Sequence, residues 1–151
     1  MQPSPTQPML TLPRRGPRLT LLAIGYGTLI MGWLSLEDQG IVTVTLLALG
    51  AASLSVIVVM LNRLGGRSFT RGPSALLLAG GTGVAGALTA PIAALLMLLK
   101  TATHAHVWPD YPLTVIVAML ARTPAWGAAG LLAGVGLALL WRTLRRETAP
   151  H

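Results

Sequence analysis

The sequence predicts an all-α integral membrane protein, and three observations support this prediction. Hydrophobic residues make up 53% of the chain and charged residues only 10%, with a mean hydropathy of +0.68. Such a composition is far from that of water-soluble domains. Long apolar segments recur along the chain, and the basic residues cluster beside them, as in proteins whose topology follows the positive-inside rule. We therefore expect four transmembrane helices and one short outer interfacial helix, with both termini cytoplasmic.

The chain begins with a proline-rich segment followed by the first apolar stretch. Residues 1–18 hold five of the eleven prolines and show no apolar periodicity, so we expect a disordered cytoplasmic tail. The first span is predicted over 19–36. A signal peptide is the competing interpretation, but this stretch exceeds an apolar region of about 7–15 residues and no small-residue cleavage site follows it. We therefore expect a retained helix.

Three further segments are long and apolar enough to cross a bilayer. They are predicted over 41–61, 75–99 and 124–140, close to the length of about 20 residues that a membrane-spanning helix needs. Pro91 lies inside the third of these segments and removes one backbone hydrogen bond, which predicts a kink.

The apolar segment before the fourth span is predicted as a separate short helix over 113–121. Joined to that span, it would form a helix of about 43 Å, longer than a hydrocarbon core of about 30 Å. Thr123 and Pro124 favour a break, because a residue before proline avoids the helical region and threonine is a good N-cap. The alternative is one long proline-kinked helix that carries Arg122 into the membrane, at a cost of about 2.5–3.5 kcal/mol.

The distribution of charge predicts the orientation. Nine of the eleven basic residues precede the first span, lie between the second and third, or follow the fourth in a basic tail over 142–151. Four spans place all nine on one side, which should be cytoplasmic. Three of the four acids, Glu37, Asp38 and Asp110, then lie outside. Ten arginines against one lysine indicate a GC-rich bacterial genome, so we expect a bacterial cytoplasmic membrane.

Small residues recur every three or four positions in the third and fourth spans. The stretch GTGVAG (81–86) matches a dinucleotide-binding fingerprint, but it lies inside an apolar segment with no strand before it, which excludes that function. Close helix contact is the better explanation, because helices in lipid associate through small residues. The predicted packing residues are Ala79, Gly83, Ala87, Gly130 and Gly134.

The stretch THAHVWPD (103–110) lies in the predicted outer region and holds two of the three histidines of a chain with few ionisable groups. His104, His106 and Asp110 are weak candidates for metal ligands, since imidazole and carboxylate groups bind such ions. We favour an outer cap instead, in which Trp108 lies at the interface and Asp110 pairs with Arg122 across the short helix. Pairing would offset the cost of an arginine near lipid.

These features predict a non-catalytic accessory, assembly or scaffold subunit without a cofactor. Its expected partners are the lipid bilayer and either copies of itself or a larger membrane complex. Nucleic acid is not expected despite a net charge of +7, because the basic residues lie beside apolar segments. Two alternatives stay open. One is a passive channel or small-molecule carrier, and the other is a membrane enzyme or metal-binding protein that uses His104, His106 and Asp110.

Overall fold

The computed structural model describes residues 10–103 and 109–147, and these residues are almost entirely helical. The prediction of an all-α chain is confirmed. Three helices are long and apolar enough to cross a membrane, over Ile41–Leu64, Gly72–Thr103 and Thr123–Leu144. The complete set of described helices is α1 (Pro17–Leu34), α2 (Ile41–Leu64), α3 (Arg71–Thr103), α4 (Leu113–Ala121) and α5 (Thr123–Glu147).

Helix α1, predicted as the first span over 19–36, is shorter than the other long helices. It is 18 residues long and begins at Pro17, whose fixed φ suits the first helical position. After Arg18 its uncharged part, 19–34, amounts to about 24 Å of helix at about 1.5 Å per residue. That length is less than a hydrocarbon core of about 30 Å. Helix α1 is not among the three membrane-capable helices.

The segment before α1 contains a two-residue strand, and α1 itself begins at Pro17, within the predicted tail over 1–18. Strand β1 (Leu10–Thr11) pairs antiparallel with β2 (Ser68–Phe69), in the connection between α2 and α3. The pairing continues through Leu12, which donates to the Arg67 carbonyl at 3.1 Å and accepts from the Gly66 amide at 2.8 Å. Gly66 has a φ of +83°, a conformation that glycine adopts at little cost. Residues 1–9 lie outside the described part of the chain.

Helix α3 is the central helix of the fold. It contacts α1, α2, α4 and α5, most extensively α5 and α2. The core lies around its second half and is completed by side chains of α1, α2 and α4. Its buried members include Trp33, Val44, Ala48, Ala90, Ala93, Met97, Ile116 and Met119.

Helices α3 and α5 pack antiparallel, and glycines on both helices lie where the backbones approach closely. A Cβ on Gly86 would collide with the Trp126 carbonyl, and a Cβ on Gly130 would collide with the Thr82 carbonyl. Further along, a Cβ on Gly134 would lie 2.6 Å from the Ala79 Cα. The structure thus brings together the five residues for which packing was predicted: Ala79, Gly83, Ala87, Gly130 and Gly134.

The break between α4 and α5 falls at Arg122. Helix α4 has the bounds that were predicted for the short helix, and Arg122 follows it with φ −82° and ψ −4°. Ile116 and Met119 are buried in the core, so α4 packs along α3 rather than lying apart from the bundle. Continuing the α3–α5 register by about one turn places Arg122 level with Pro91. Two separate helices, α4 and α5, therefore follow each other along the length of α3.

The bundle has two chemically different ends. The lysine end comprises Lys100, the α1–α2 connection (35–40) and residues 109–112 before α4. The arginine end comprises Arg14, Arg15, Arg63 and Arg67, which the β1–β2 pairing brings together.

Candidate functional site

The lysine end holds the main cluster of polar side chains in the described part of the chain. Three segments that are distant in sequence meet there: the end of α1 with its following connection, the last turn of α3, and residues 109–112. Their polar groups are joined by the hydrogen bonds described below. This cluster is the candidate functional site.

Lys100 lies at the centre of the site and is fully buried, with 0% of its surface exposed. Its ammonium donates to the Trp33 carbonyl at 3.0 Å and to the Leu36 carbonyl at 2.6 Å. Nζ also lies 4.2 Å from the centre of the Trp33 ring, within the range of a cation–π interaction. A helix C-terminus presents carbonyls without internal donors and a partial negative charge. Lys100 of α3 therefore caps the end of α1.

Asp38 forms the second part of the site and closes the α1–α2 connection. One carboxylate oxygen accepts from the Gly40 amide at 2.8 Å and the other from the Trp33 indole at 3.0 Å. Hydrogen bonds from Gly40 and Trp33, followed by one from Thr43, hold the pKa of Asp38 below its usual value. Lys100 contributes a smaller attraction in the same direction. Asp38 is therefore ionised near neutral pH and fixes the start of α2.

Asp110 joins the segment before α4 to the α1–α2 connection. It accepts a hydrogen bond from the Gln39 amide at 3.0 Å. Arg122, its predicted partner, is exposed at the C-cap of α4. The nine residues of α4 amount to about 13 Å of helix between the two. Because α4 runs along α3 instead of folding back, the structure brings Asp110 to Gln39 and not to Arg122.

Tyr111 is buried close to the carboxylates of Asp38 and Asp110. It is 3% exposed, and its amide donates to the Thr101 hydroxyl at 3.3 Å. Its phenolic oxygen is buried without a hydrogen-bond partner among the described residues. Burial, followed by the charges of Asp38 and Asp110, raises the pKa of Tyr111 to about 12. The phenol therefore stays protonated under ordinary conditions and is a poor proton donor.

The contacts of Lys100, Asp110 and Tyr111 form a clasp that holds three chain segments together at the lysine end. Lys100 joins α3 to the end of α1, Asp110 joins the segment before α4 to the α1–α2 connection, and the backbone amide of Tyr111 joins that segment to α3. Within the described ranges, no group of three or more histidine, cysteine, aspartate or glutamate residues is placed to hold a metal ion. Three of the predicted metal-ligand and cap residues, His104, His106 and Trp108, lie outside the described part of the chain, whereas Asp110 and Arg122 are described.

Lys100, the central residue of the site, was not singled out from the sequence. It directly follows the third predicted span, 75–99. The structure shows it capping α1. Its signal was compositional, because it is the only lysine in a chain with ten arginines. A lysine has three donors on a flexible stem, which suits it to bind carbonyls from a different helix.

Comparison with known proteins gives no relative: no family model matches the sequence, and searches of curated proteins and of solved structures return no match.

Proposed function

We propose that this chain is a non-catalytic accessory, assembly or scaffold subunit of a bacterial cytoplasmic membrane. The observation that carries the proposal is how little of the apolar helix surface is covered within the chain. In the most apolar window of each helix, α3 is 50% buried, whereas α2 is 22% and α5 only 11% buried. Large apolar side chains such as Leu76, Val42 and Leu132 are more than 70% exposed. Surfaces of this kind suit lipid and the helices of partner chains.

Four membrane crossings, rather than three, fit the course of α1. The β1–β2 pairing holds the residues before α1 at the arginine end. The carbonyls of Trp33 and Leu36, at and just after the other end of α1, contact Lys100 at the lysine end. Helix α1 thus connects the same two ends of the bundle as α2, although it is six residues shorter. Positively charged side chains near helix ends can extend toward the headgroups and make up such a difference.

The arginine end is proposed to face the cytoplasm. Nine of the eleven basic residues belong to segments at that end, whereas Asp38, Asp110 and Glu37 lie in segments at the other. This asymmetry follows the positive-inside rule. Both termini are then cytoplasmic, and the connection before α4 is external.

The internal hydrogen bonds support a subunit over a passive channel. The hydroxyls of Thr28, Thr82 and Thr89 each donate to a carbonyl of their own helix. The Tyr26 hydroxyl donates to the Leu47 carbonyl of α2 at 2.8 Å. These groups satisfy helix backbones instead of lining a shared path, as a channel or carrier would require.

Purification in a mild detergent tests the proposed function. The full chain, carrying an affinity tag, should be recovered with stoichiometric partner polypeptides or as a defined homo-oligomer, identified by mass spectrometry and light scattering. Recovery only as a monomer at every concentration, from membranes solubilised gently, would overturn the proposal.

Orientation requires a separate experiment with single cysteines in a chain that has none. Ser35→Cys, Ser68→Cys and Thr103→Cys replace exposed residues in connections and at helix ends. On intact cells an impermeant thiol reagent should label the first and third variants and spare Ser68→Cys. Labelling of Ser68→Cys alone would show that the proposed orientation is reversed.

A further inference from the structure

An apolar groove lies between α2 and α3 in the half of the bundle nearest the arginine end. Its volume is about 370 Å³ and its walls are almost wholly apolar. The lining residues on α3 run from Leu76 to Leu88, about 18 Å of helix at about 1.5 Å per residue. This length is close to one leaflet, or half of a hydrocarbon core of about 30 Å.

The groove ends near the middle of the bundle because α2 and α3 come together there. Val44, Ala48 and Ala52 in the first half of α2 are fully buried. They pack in the half of the bundle where Ala90, Ala93 and Met97 of α3 are also fully buried. A partner helix would cross the whole membrane and would need an opening along both halves. A single acyl chain occupies one leaflet, which is what this groove offers.

Arginine side chains lie at the open end of the groove. Arg63 follows the lining residues Val59 and Met60 by four and three positions, so it continues the same helix face one turn further. Gly72, at the start of α3, is exposed and has open space where a Cβ would project. The groove is therefore open toward Arg63 and the connection that contains Arg67.

The N-terminal segment adds two more arginines to this end. The β1–β2 pairing places it against the connection after α2. Arg14 Nε lies 3.4 Å from the point where Gly66 would carry a Cβ, and Arg15 donates to the Asn62 side chain at 3.3 Å. Arg14, Arg63 and Arg67 are all exposed. Of the acids, Glu37, Asp38 and Asp110 lie in segments at the lysine end, and Glu147 ends α5.

We infer that this end of the molecule binds one anionic phospholipid, with an acyl chain in the α2–α3 groove and the phosphate on Arg14, Arg63 and Arg67. Guanidinium groups bind phosphate oxygens in a bidentate manner, and the apolar groove suits a hydrocarbon chain. The combination of the two selects an anionic lipid over a zwitterionic one. The inference rests on the proposed membrane setting of the chain.

Native mass spectrometry of the full chain in a non-ionic detergent tests this inference. Phosphatidylglycerol and phosphatidylcholine with identical acyl chains are titrated separately. We expect phosphatidylglycerol to bind at least about tenfold more tightly, since each arginine near an anionic headgroup contributes on the order of 1 kcal/mol. Equal binding of the two lipids would overturn the assignment of the headgroup site.

Two pairs of variants distinguish the contribution of the lipid headgroup from that of the acyl chain. Arg63→Gln with Arg67→Gln should lower the affinity for phosphatidylglycerol to that for phosphatidylcholine, whereas Arg142→Gln, at the same end but on α5, should not. Gly80→Phe places a ring in the groove and should weaken binding about tenfold. Gly136→Phe is its control, because both glycines are exposed with open space for a Cβ.

Glycerol phosphate, which has the headgroup chemistry without acyl chains, should fail to displace the lipid at millimolar concentration. Full displacement, together with unchanged binding by Gly80→Phe, would show a surface phosphate site and overturn the role of the groove. The assay uses the isolated chain in detergent and depends neither on a partner nor on orientation. The lipid-binding result can therefore be interpreted even if copurification fails or the topology is reversed.

Discussion

The two contacts that α3 makes with its long neighbours differ in how far they extend. Against α5 it packs closely from Gly86 down to Ala79, where the opposing residues are Trp126, Gly130 and Gly134. Against α2 it packs closely only toward the lysine end, and the two helices separate into a groove toward the arginine end. One helix therefore forms a closed contact on one side and a half-open contact on the other.

The difference follows from side-chain size on the partner helices. The part of α2 that packs closely carries the fully buried Ala48 and Ala52, whereas the groove beyond them is lined by Val56, Val59 and Met60. Branched and long side chains keep the helix backbones apart, and small ones let them approach. On α5, glycine recurs at 127, 130 and 134, so the close approach continues. The close contact of α3 with α5 therefore continues along the part of α3 where its close contact with α2 has ended.

The largest expected effect comes from adding a side chain within the closed contact. Gly86→Leu should lower the free energy of unfolding by about 3 kcal/mol, because the backbone carbonyl of Trp126 occupies the space and cannot move aside cheaply. Gly80→Leu, on the open side of the same helix, should change it by less than about 0.5 kcal/mol. Melting curves in detergent measure both. Equal tolerance of the two substitutions would contradict the distinction between the two contacts.

The next effect concerns the clasp that holds α1 at the lysine end. Lys100→Met keeps most of the side-chain volume but removes the donors to the Trp33 and Leu36 carbonyls. We expect a loss of about 2 kcal/mol, since buried acceptors lose charged hydrogen bonds. Arg142→Met is the matched control at an exposed position, and its melting temperature should stay near that of the wild type. If both variants melted alike, Lys100 would not hold α1 in place.

Smaller changes in stability are expected when the hydroxyl of either tyrosine is removed, and the two changes should have opposite signs. Tyr111→Phe removes a buried hydroxyl that has no hydrogen-bond partner among the described residues, and should raise stability by about 1 kcal/mol. Tyr26→Phe removes a hydroxyl that donates to the Leu47 carbonyl, and should lower stability by about the same amount. Melting temperatures of the pair decide this. A loss in both variants would indicate that the Tyr111 hydroxyl is bonded in the folded protein.

The smallest effect is a pH dependence from Asp38. Its pKa in the folded protein lies below the usual 3.8, so its contribution to stability is complete above that value and is lost as the pH falls through the folded pKa. Asp38→Asn should therefore flatten the fall in melting temperature on acidification below about pH 4. Glu37→Gln, at an exposed position in the same connection, serves as the control. An unchanged acid profile in Asp38→Asn would contradict the role assigned to this carboxylate.

Several elements could be predicted from the sequence because their causes are local. The apolar segments of α2, α3 and α5 are set by composition, and Pro124, which has no amide donor, suits the first turn of a new helix just after the break at Arg122. The small-residue positions on α3 and α5 are visible as a periodicity, since helix geometry brings every third or fourth residue to one face. None of these depends on which helices become neighbours.

The clasp and the arginine end could not be predicted in the same way. Lys100 contacts carbonyls more than 60 positions away in sequence, and Asp110 is held by Gln39 rather than by Arg122. The strand at Leu10–Thr11 forms by pairing with Ser68 and Phe69, which local composition does not reveal. Pairings of this kind arise only when the helices are placed relative to one another.

By itself, then, the sequence determined an all-helical chain with membrane-capable segments and one basic and one acidic set of connections, because hydropathy and charge act residue by residue. Only the tertiary structure decided that α3 is the central helix, that α4 and then α5 pack along it, and that the contact with α2 opens toward the arginine end. The physical reason is that helices in lipid gain little from burying apolar surface as such. Their arrangement therefore depends on close contacts and hydrogen bonds between specific residues, and these form only between helices that have already become neighbours.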